Sequence, residues 1–113
     1  MAVVRKEDGS VVCARCVVAD SAWLRTKGLL GRGSLDEDEG ILLRPGGSIH
    51  MFFMRFPIDA VFLDRDLRVL RVAADLKPWR LASKRGAKAV LELPAGRCAH
   101  VSLREGDRLV LDA

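Results

Sequence analysis

The sequence predicts an α+β domain: a small, mostly antiparallel, partly closed β-barrel with one N-terminal and one C-terminal short helix. Three observations lead there. From residue 41 onward, short runs rich in Ile, Val, Leu and Phe recur between Pro-Gly, Asp-Arg-Asp and Glu-Gly-Asp turns. One of these runs, Ile58 to Leu63, is apolar in both of its alternating sets except at Asp59, as expected of a strand covered on two faces. Finally, a chain of 113 residues that is 50% hydrophobic and 30% charged fits a single domain, 1–113, with enough interior to need no disulfides.

Taken in order, residues 1–10 read as a polar lead ending in the turn Asp8-Gly9-Ser10, and Ser10 to Ala19 reads as Val-rich extended chain. Asp20 or Ser21 can accept from the free N–H groups of a following helix over about 21–30. There Trp23 and Leu30, and Ala22 and Leu29, recur seven apart on one face, and Gly31 closes the helix. Ser34-Leu35-Asp36-Glu37 resembles a capping box, but Gly40 limits it to a single turn. Strands are expected at 41–43, 49–55, 58–63, 68–74, 89–93 and 108–111, with a second short helix at 97–103. The longest stretch without Asp, Glu, Lys or Arg is Pro45 to Met54, half of what a membrane helix needs. The first residues lack the apolar run of a secretory leader, and three cysteines form no even disulfide set. The expectation is therefore a cytoplasmic protein with reduced thiols.

Charge is mild overall, at +4, but uneven. Residues 36–39 are all acidic, whereas Lys77, Arg80, Lys84, Arg85 and Lys88 occupy a stretch without acids. That stretch is either a solvated loop or a phosphate-binding patch. Within it, Trp79 either plugs one end of the barrel or stacks on a ring.

In a strand over Ile49 to Arg55, His50, Phe52 and Met54 would share one face and Met51, Phe53 and Arg55 the other. Asp59 would lie on the face of Val61 and Leu63, where an isolated carboxylate is costly unless paired. Arg55 is its nearest candidate partner, so Arg55–Asp59 is either a structural ion pair or the polar end of a pocket. His50 is either a hydrogen-bonded strand residue or, with Asp59 and Glu92, part of an acid–base cluster. Glu92 has the further alternative of pointing to water. Cys13-Ala14-Arg15-Cys16 together with Cys98-Ala99-His100 offers four zinc-type ligands. Strand alternation would nevertheless send Cys13 and Cys16 to opposite faces, so no metal or other cofactor is called for. Gly31, Gly33, Gly46 and Gly47 do not have the spacing of a phosphate loop.

Several motifs in order resemble one family. Thr26-Lys27-Gly28-Leu29-Leu30-Gly31-Arg32, Glu39 to Pro45, Ile49 to Asp64, Lys77-Pro78-Trp79, Val90 to Gly96 and Gly106-Asp107 are similar to the domain of unknown function 192, over about 20–112. The resemblance implies a compact β-rich α+β domain and carries no settled activity. The family's usual Trp-Met-x-Asn-Thr core is replaced here by Phe53-Met54-Arg55-Phe56-Pro57, so no role of that Trp or Asn transfers.

The resulting reading is a non-catalytic domain that binds a small anionic ligand or a protein partner. Its site is built from His50, Arg55 and Asp59, with Trp79, Arg80 and Glu92 nearby and Arg44 at the same mouth. The alternatives are a hydrolase using His50 and Asp59, and weak nucleic-acid binding through 77–88, which is the less favoured partner class.

Overall fold

The computed structural model describes residues 1–20 and 32–112. The N-terminal helix expected over 21–30 lies outside the described residues. Within them the chain forms β1 (Ala2–Lys6), β2 (Val11–Ala19), β3 (Glu39–Leu43), β4 (Ser48–His50), β5 (Ile58–Leu63), β6 (Val69–Leu76), β7 (Leu81–Ser83), β8 (Ala89–Pro94), the one-turn helix α1 (Arg97–His100) and β9 (Leu109–Asp112). Seven strands join in the order β6-β5-β8-β3-β2-β1-β9, and β4 and β7 form a separate ribbon. All pairings are antiparallel except β2 with β3.

The long sheet curls until its edges touch at one corner. There Arg68 bridges Arg108, the Val69 N–H donates to the Asp107 carbonyl at 2.7 Å, and the Leu109 N–H donates to the Leu67 carbonyl at 2.9 Å. The result is a half-barrel. Two apolar layers explain why β5 is buried along its whole length. Val61 and Leu63 project into the curl with Leu42, Leu91 and Leu93. Ile58, Ala60 and Phe62 project outward, where Met51, Met54 and Ala82 cover them. The β4–β7 ribbon and the residues after β4 thus close over the back of the sheet.

The expected α+β balance shifts to a mostly β fold. The C-terminal helix stops at His100 rather than at 103, because Ser102 adopts a left-handed conformation (φ 55°). The Leu103 N–H then returns to the Cys98 carbonyl at 2.8 Å and the Ser102 N–H to the Ala99 carbonyl at 3.2 Å, a Schellman-type stop with Leu103 and Cys98 in one apolar cluster. The polar lead contains a strand, β1, in which Ala2 and Val4 are buried. The expected strand over Ile49 to Arg55 ends at His50. Beyond it the Met54 N–H reaches back to the Met51 carbonyl at 3.3 Å and Phe53 takes φ 65°, so the chain turns. Met51 and Met54 both face the core, while Phe52, Phe53 and Arg55 face out. The period-2 grouping of His50, Phe52 and Met54 is therefore corrected.

Two β-bulges matter for the site. Along β1–β2, Ala2 pairs with Cys16 and Val4 with Cys13, so two steps on β1 face three on β2. Along β5–β6, Ile58 pairs with Leu76 and Ala60 with Ala73, which places the extra residue in β6 beside Asp59.

Candidate functional site

Asp59 lies inside the curl, as strand alternation requires, and is only 1% exposed. Its partners are backbone amides rather than Arg55. The bulge frees the Asp75 N–H, which donates to Asp59 Oδ1 at 2.9 Å, and the Cys98 N–H of α1 donates to Oδ2 at 2.9 Å. Arg55 is exposed and makes no ion pair or hydrogen bond with the described residues. Asp59 thus ties the β6 bulge and α1 to β5, a structural task that uses both of its oxygens. Burial, followed by the charge of this carboxylate, pushes the neighbouring Cys98 thiol up to about 12.

Glu92 sits on the opposite face of the sheet, between Ile41 of β3 and Ala60 of β5. It is 5% exposed rather than turned to water, and it makes no hydrogen bond or ion pair with the described residues. Burial pushes its carboxyl up to about 7.

Arg44 belongs to neither place. Leu43 pairs with Val90 and Asp59 with Leu93, at opposite ends of β8, so Arg44 follows β3 out of the far end of the sheet. There its Nε donates to Asp20 Oδ1 at 2.7 Å, and it lines a groove of about 360 Å³ with Arg65 and Lys88.

The two thiols of the Cys-x-x-Cys are not on opposite faces. The bulge brings Cys13 and Cys16 into the same buried cluster, where the neighbouring Cys13 thiol, together with burial, pushes the Cys16 thiol well up. The zinc grouping still does not assemble. His100 is exposed on α1, and among the described residues no three His, Cys, Asp or Glu side chains converge as metal ligands.

What the structure does bring together is a set of rings on the surface. His50 stacks on Phe52 (centroids 5.0 Å apart, 29° between planes). Phe52 lies 5.9 Å from Trp79, and Phe53 meets Trp79 edge-on at 4.9 Å. Phe53 is 73% exposed and Trp79 57%, so Trp79 does not plug the barrel. Leu81 lies directly across from His50 in the ribbon and is also exposed. The loops are fixed from behind: the Trp79 N–H donates to the Met51 carbonyl at 2.7 Å and the Met51 N–H to the Arg80 carbonyl at 2.8 Å. The Phe52 N–H also donates to His50 Nδ1 at 3.3 Å. Both Phe53 (φ 65°) and Trp79 (φ 68°) hold left-handed backbone conformations, costly for large side chains and common where a residue is held out for use.

The same two loops contain no carboxylate. From Arg44 to Ile58 and from Leu76 to Leu91 there is no Asp or Glu, whereas Arg55, Lys77, Arg80, Lys84, Arg85 and Lys88 fall within those stretches. Lys77 pairs with Asp75 at 2.7 Å; Arg55, Arg80, Lys84 and Arg85 are exposed and make no ion pair with the described residues. Of the residues named from sequence, His50 and Trp79 are thus joined through Phe52, Arg55 and Arg80 are exposed on the same two loops, and Asp59, Glu92 and Arg44 lie in three other places. Phe52 and Phe53 were missed as surface residues. The available signal was the Phe-Phe doublet between two methionines, where a turn can bury the flanking pair and leave the doublet at its tip.

Relatives share this fold without adding an activity. A protein of unknown function from Novosphingobium aromaticivorans superposes with a TM-score of 0.82 at 26% identity, over 96% of this chain and 82% of that one. A Sinorhizobium meliloti protein described as a putative transcription regulator superposes at 0.83 with 23% identity, over 97% and 91%, a likeness of fold alone. In sequence, the chain is 34% identical to a UPF0127 protein of Thermococcus sibiricus over 95% of its own length and 72% of that protein. It is 42% identical to a UPF0127 protein of Pyrococcus furiosus over 58% of its length and 57% of that protein. The family profile for the domain of unknown function 192, described as Uncharacterized ACR, matches residues 3–111, and the chain belongs to that family.

Proposed function

We propose that this domain is a non-catalytic binding module for anions that carry a flat ring, with His50, Phe52, Phe53 and Trp79 as its platform and Arg55 and Arg80 as its charges. The observation that carries the reading is the pairing of an exposed, backbone-fixed ladder of rings with loops free of carboxylates. A ring offers its face to another ring or to a cation, and guanidinium groups hold phosphate or carboxylate through paired N–H donors. Exposed aromatic patches of this kind mark binding surfaces more often than chance solvent contact.

The hydrolase alternative has less support. An acid–base pair of His50 and Asp59 needs a shared hydrogen bond or water, yet His50 lies on the outer ribbon while both oxygens of Asp59 are occupied by amides inside the curl.

The test is a chemical-shift titration with phenyl phosphate, using inorganic phosphate as the control. Phenyl phosphate should shift the Trp79 indole and the Phe52 and Phe53 ring signals, Trp79→Gly should abolish the effect, and inorganic phosphate should leave the rings unmoved. Equal responses to both anions, or no ring response at millimolar phenyl phosphate, would refute the reading.

A further inference from the structure

The ring ladder does not end in isolation. His50 begins the outer face of the β4–β7 ribbon, on which His50 faces Leu81 and Ser48 faces Ser83. Ser48, His50, Leu81 and Ser83 are exposed and, with Arg71, border an open groove of about 450 Å³. Arg71 donates to the Ser83 carbonyl at 2.8 Å and lies over the buried Phe62 ring at 5.7 Å, so its guanidinium is fixed at the groove wall. At the far end of the ribbon the chain turns through Lys84 and Arg85, both exposed and without an ion pair among the described residues. The Lys84 N–H is tied to the Gly47 carbonyl at 3.1 Å, which places this turn beside the start of β4. The order along the surface is therefore rings, a groove with one fixed cation, and free cations.

We infer that this track binds single-stranded nucleic acid, with bases stacking on Phe53, Trp79, Phe52 and His50 and the backbone following the groove toward Lys84 and Arg85. The inference rests on the ring-bearing-anion reading and extends it to a polymer. Two features favour this occupant over an acidic peptide. Binding to a peptide usually anchors an apolar side chain in a pocket, but the groove starts at His50 and includes none of the other three rings. A base needs only an exposed flat face, and Phe53 and Trp79, 73% and 57% exposed, leave much of theirs open to solvent. The absence of carboxylates from both loops removes the repulsion that a phosphate chain would meet. A duplex keeps its base faces hidden and should be bound poorly.

The experiment measures fluorescence anisotropy of labelled ten-nucleotide RNA and DNA single strands and of a duplex of the same sequence, at two salt concentrations. Parallel titrations use phenyl phosphate and an acidic peptide as competitor. Single strands should bind about tenfold or more tighter than duplex, and weaken steeply as salt rises. Phe53→Gly with Trp79→Gly should reduce binding about tenfold or more. Lys84→Ala with Arg85→Ala should reduce oligonucleotide binding and its salt slope while leaving the phenyl phosphate response intact. Glycine suits the left-handed positions, so the ring variants should stay folded by circular dichroism; if they do not, the Lys84/Arg85 pair, on an exposed turn, decides alone. Preference of RNA over DNA, or the reverse, identifies which polymer is held, and either result supports the inference. Equal affinity for duplex, no effect of the Lys84/Arg85 change, or displacement by the acidic peptide at lower concentration than by unlabelled strand would overturn it. If phenyl phosphate still binds in that event, the platform reading survives; if it does not, both fall.

Discussion

At the scale of single residues, the two buried carboxyl groups behave in opposite ways. Asp59 is surrounded by apolar side chains yet satisfied, because a bulge in β6 and the first turn of α1 each aim an N–H at it. Replacing it by Ala leaves both amides without partners in a dry interior, and the expected loss is about 3 kcal/mol of stability, read from urea unfolding. An Arg55→Ala change should cost less than about 0.5 kcal/mol, since that guanidinium supports nothing structural. Equal losses at the two positions would restore the ion pair that the sequence suggests. Glu92 has no such partners, and its raised proton affinity has a definite sign. Below pH 4.5 the carboxyl is protonated in the folded and unfolded chain alike. Between 4.5 and about 7 the unfolded chain releases the proton while the folded chain keeps it, so stability falls as pH rises. Glu92→Gln should match the wild type near pH 4 and exceed it by about 3 kcal/mol near pH 8. A pH-independent difference would contradict this account of its burial. Asp59 was legible from alternation alone; its partners were not, because a bulge and a helix start are backbone events with no side-chain signature.

At the scale of elements, chain geometry decides where sequence pattern is ambiguous. The run Ile49 to Arg55 alternates well enough to suggest one strand, but its methionines are spaced as in a turn and Phe53 sits in the left-handed region. The cysteine pair shows the same effect: three residues apart in an ideal strand means opposite faces, and one extra residue against β1 reverses that. The strands of the long sheet were readable because β5 and β8 are apolar on both faces, whereas β1 and the two three-residue strands of the ribbon carry too few apolar residues to stand out. Packing is close where β3 meets β8. A Cβ on Gly40 would come within 2.8 Å of Cys13 Sγ and 3.0 Å of the Glu92 carbonyl oxygen, so Gly40→Ala should destabilise the domain by about 1–3 kcal/mol, measured by thermal unfolding. The loops that present the rings should respond differently. Phe53→Gly relieves backbone strain while removing a mostly exposed ring, and stability should change by less than about 1 kcal/mol in either direction. A loss of several kcal/mol would mean that the ring serves the fold rather than a partner.

At the scale of the whole molecule, a half-barrel closed at one corner leaves Asp59 and the cysteines inside and the rings of the proposed platform on the outside. The interior holds Asp59, Cys13, Cys16 and Cys98; the back of the sheet holds Met51 and Met54, and the ribbon and loops covering it carry the rings. The sequence made the β-rich class, the family and two of the four clustered rings, His50 and Trp79, visible, whereas Arg44, Asp59 and Glu92 share neither an end nor a side of the sheet. Among the described residues no helix is long and apolar enough to cross a membrane. The formal charge of +4 understates how basic the candidate face is, since the acids are concentrated elsewhere, four of them at 36–39. The most direct measurement is the ring-resolved titration with phenyl phosphate on wild-type protein and Trp79→Gly. The account predicts shifts centred on Trp79, Phe52, Phe53 and His50 that vanish in the variant. Shifts centred instead on Arg44, Arg65 and Lys88, or none at all, would contradict it.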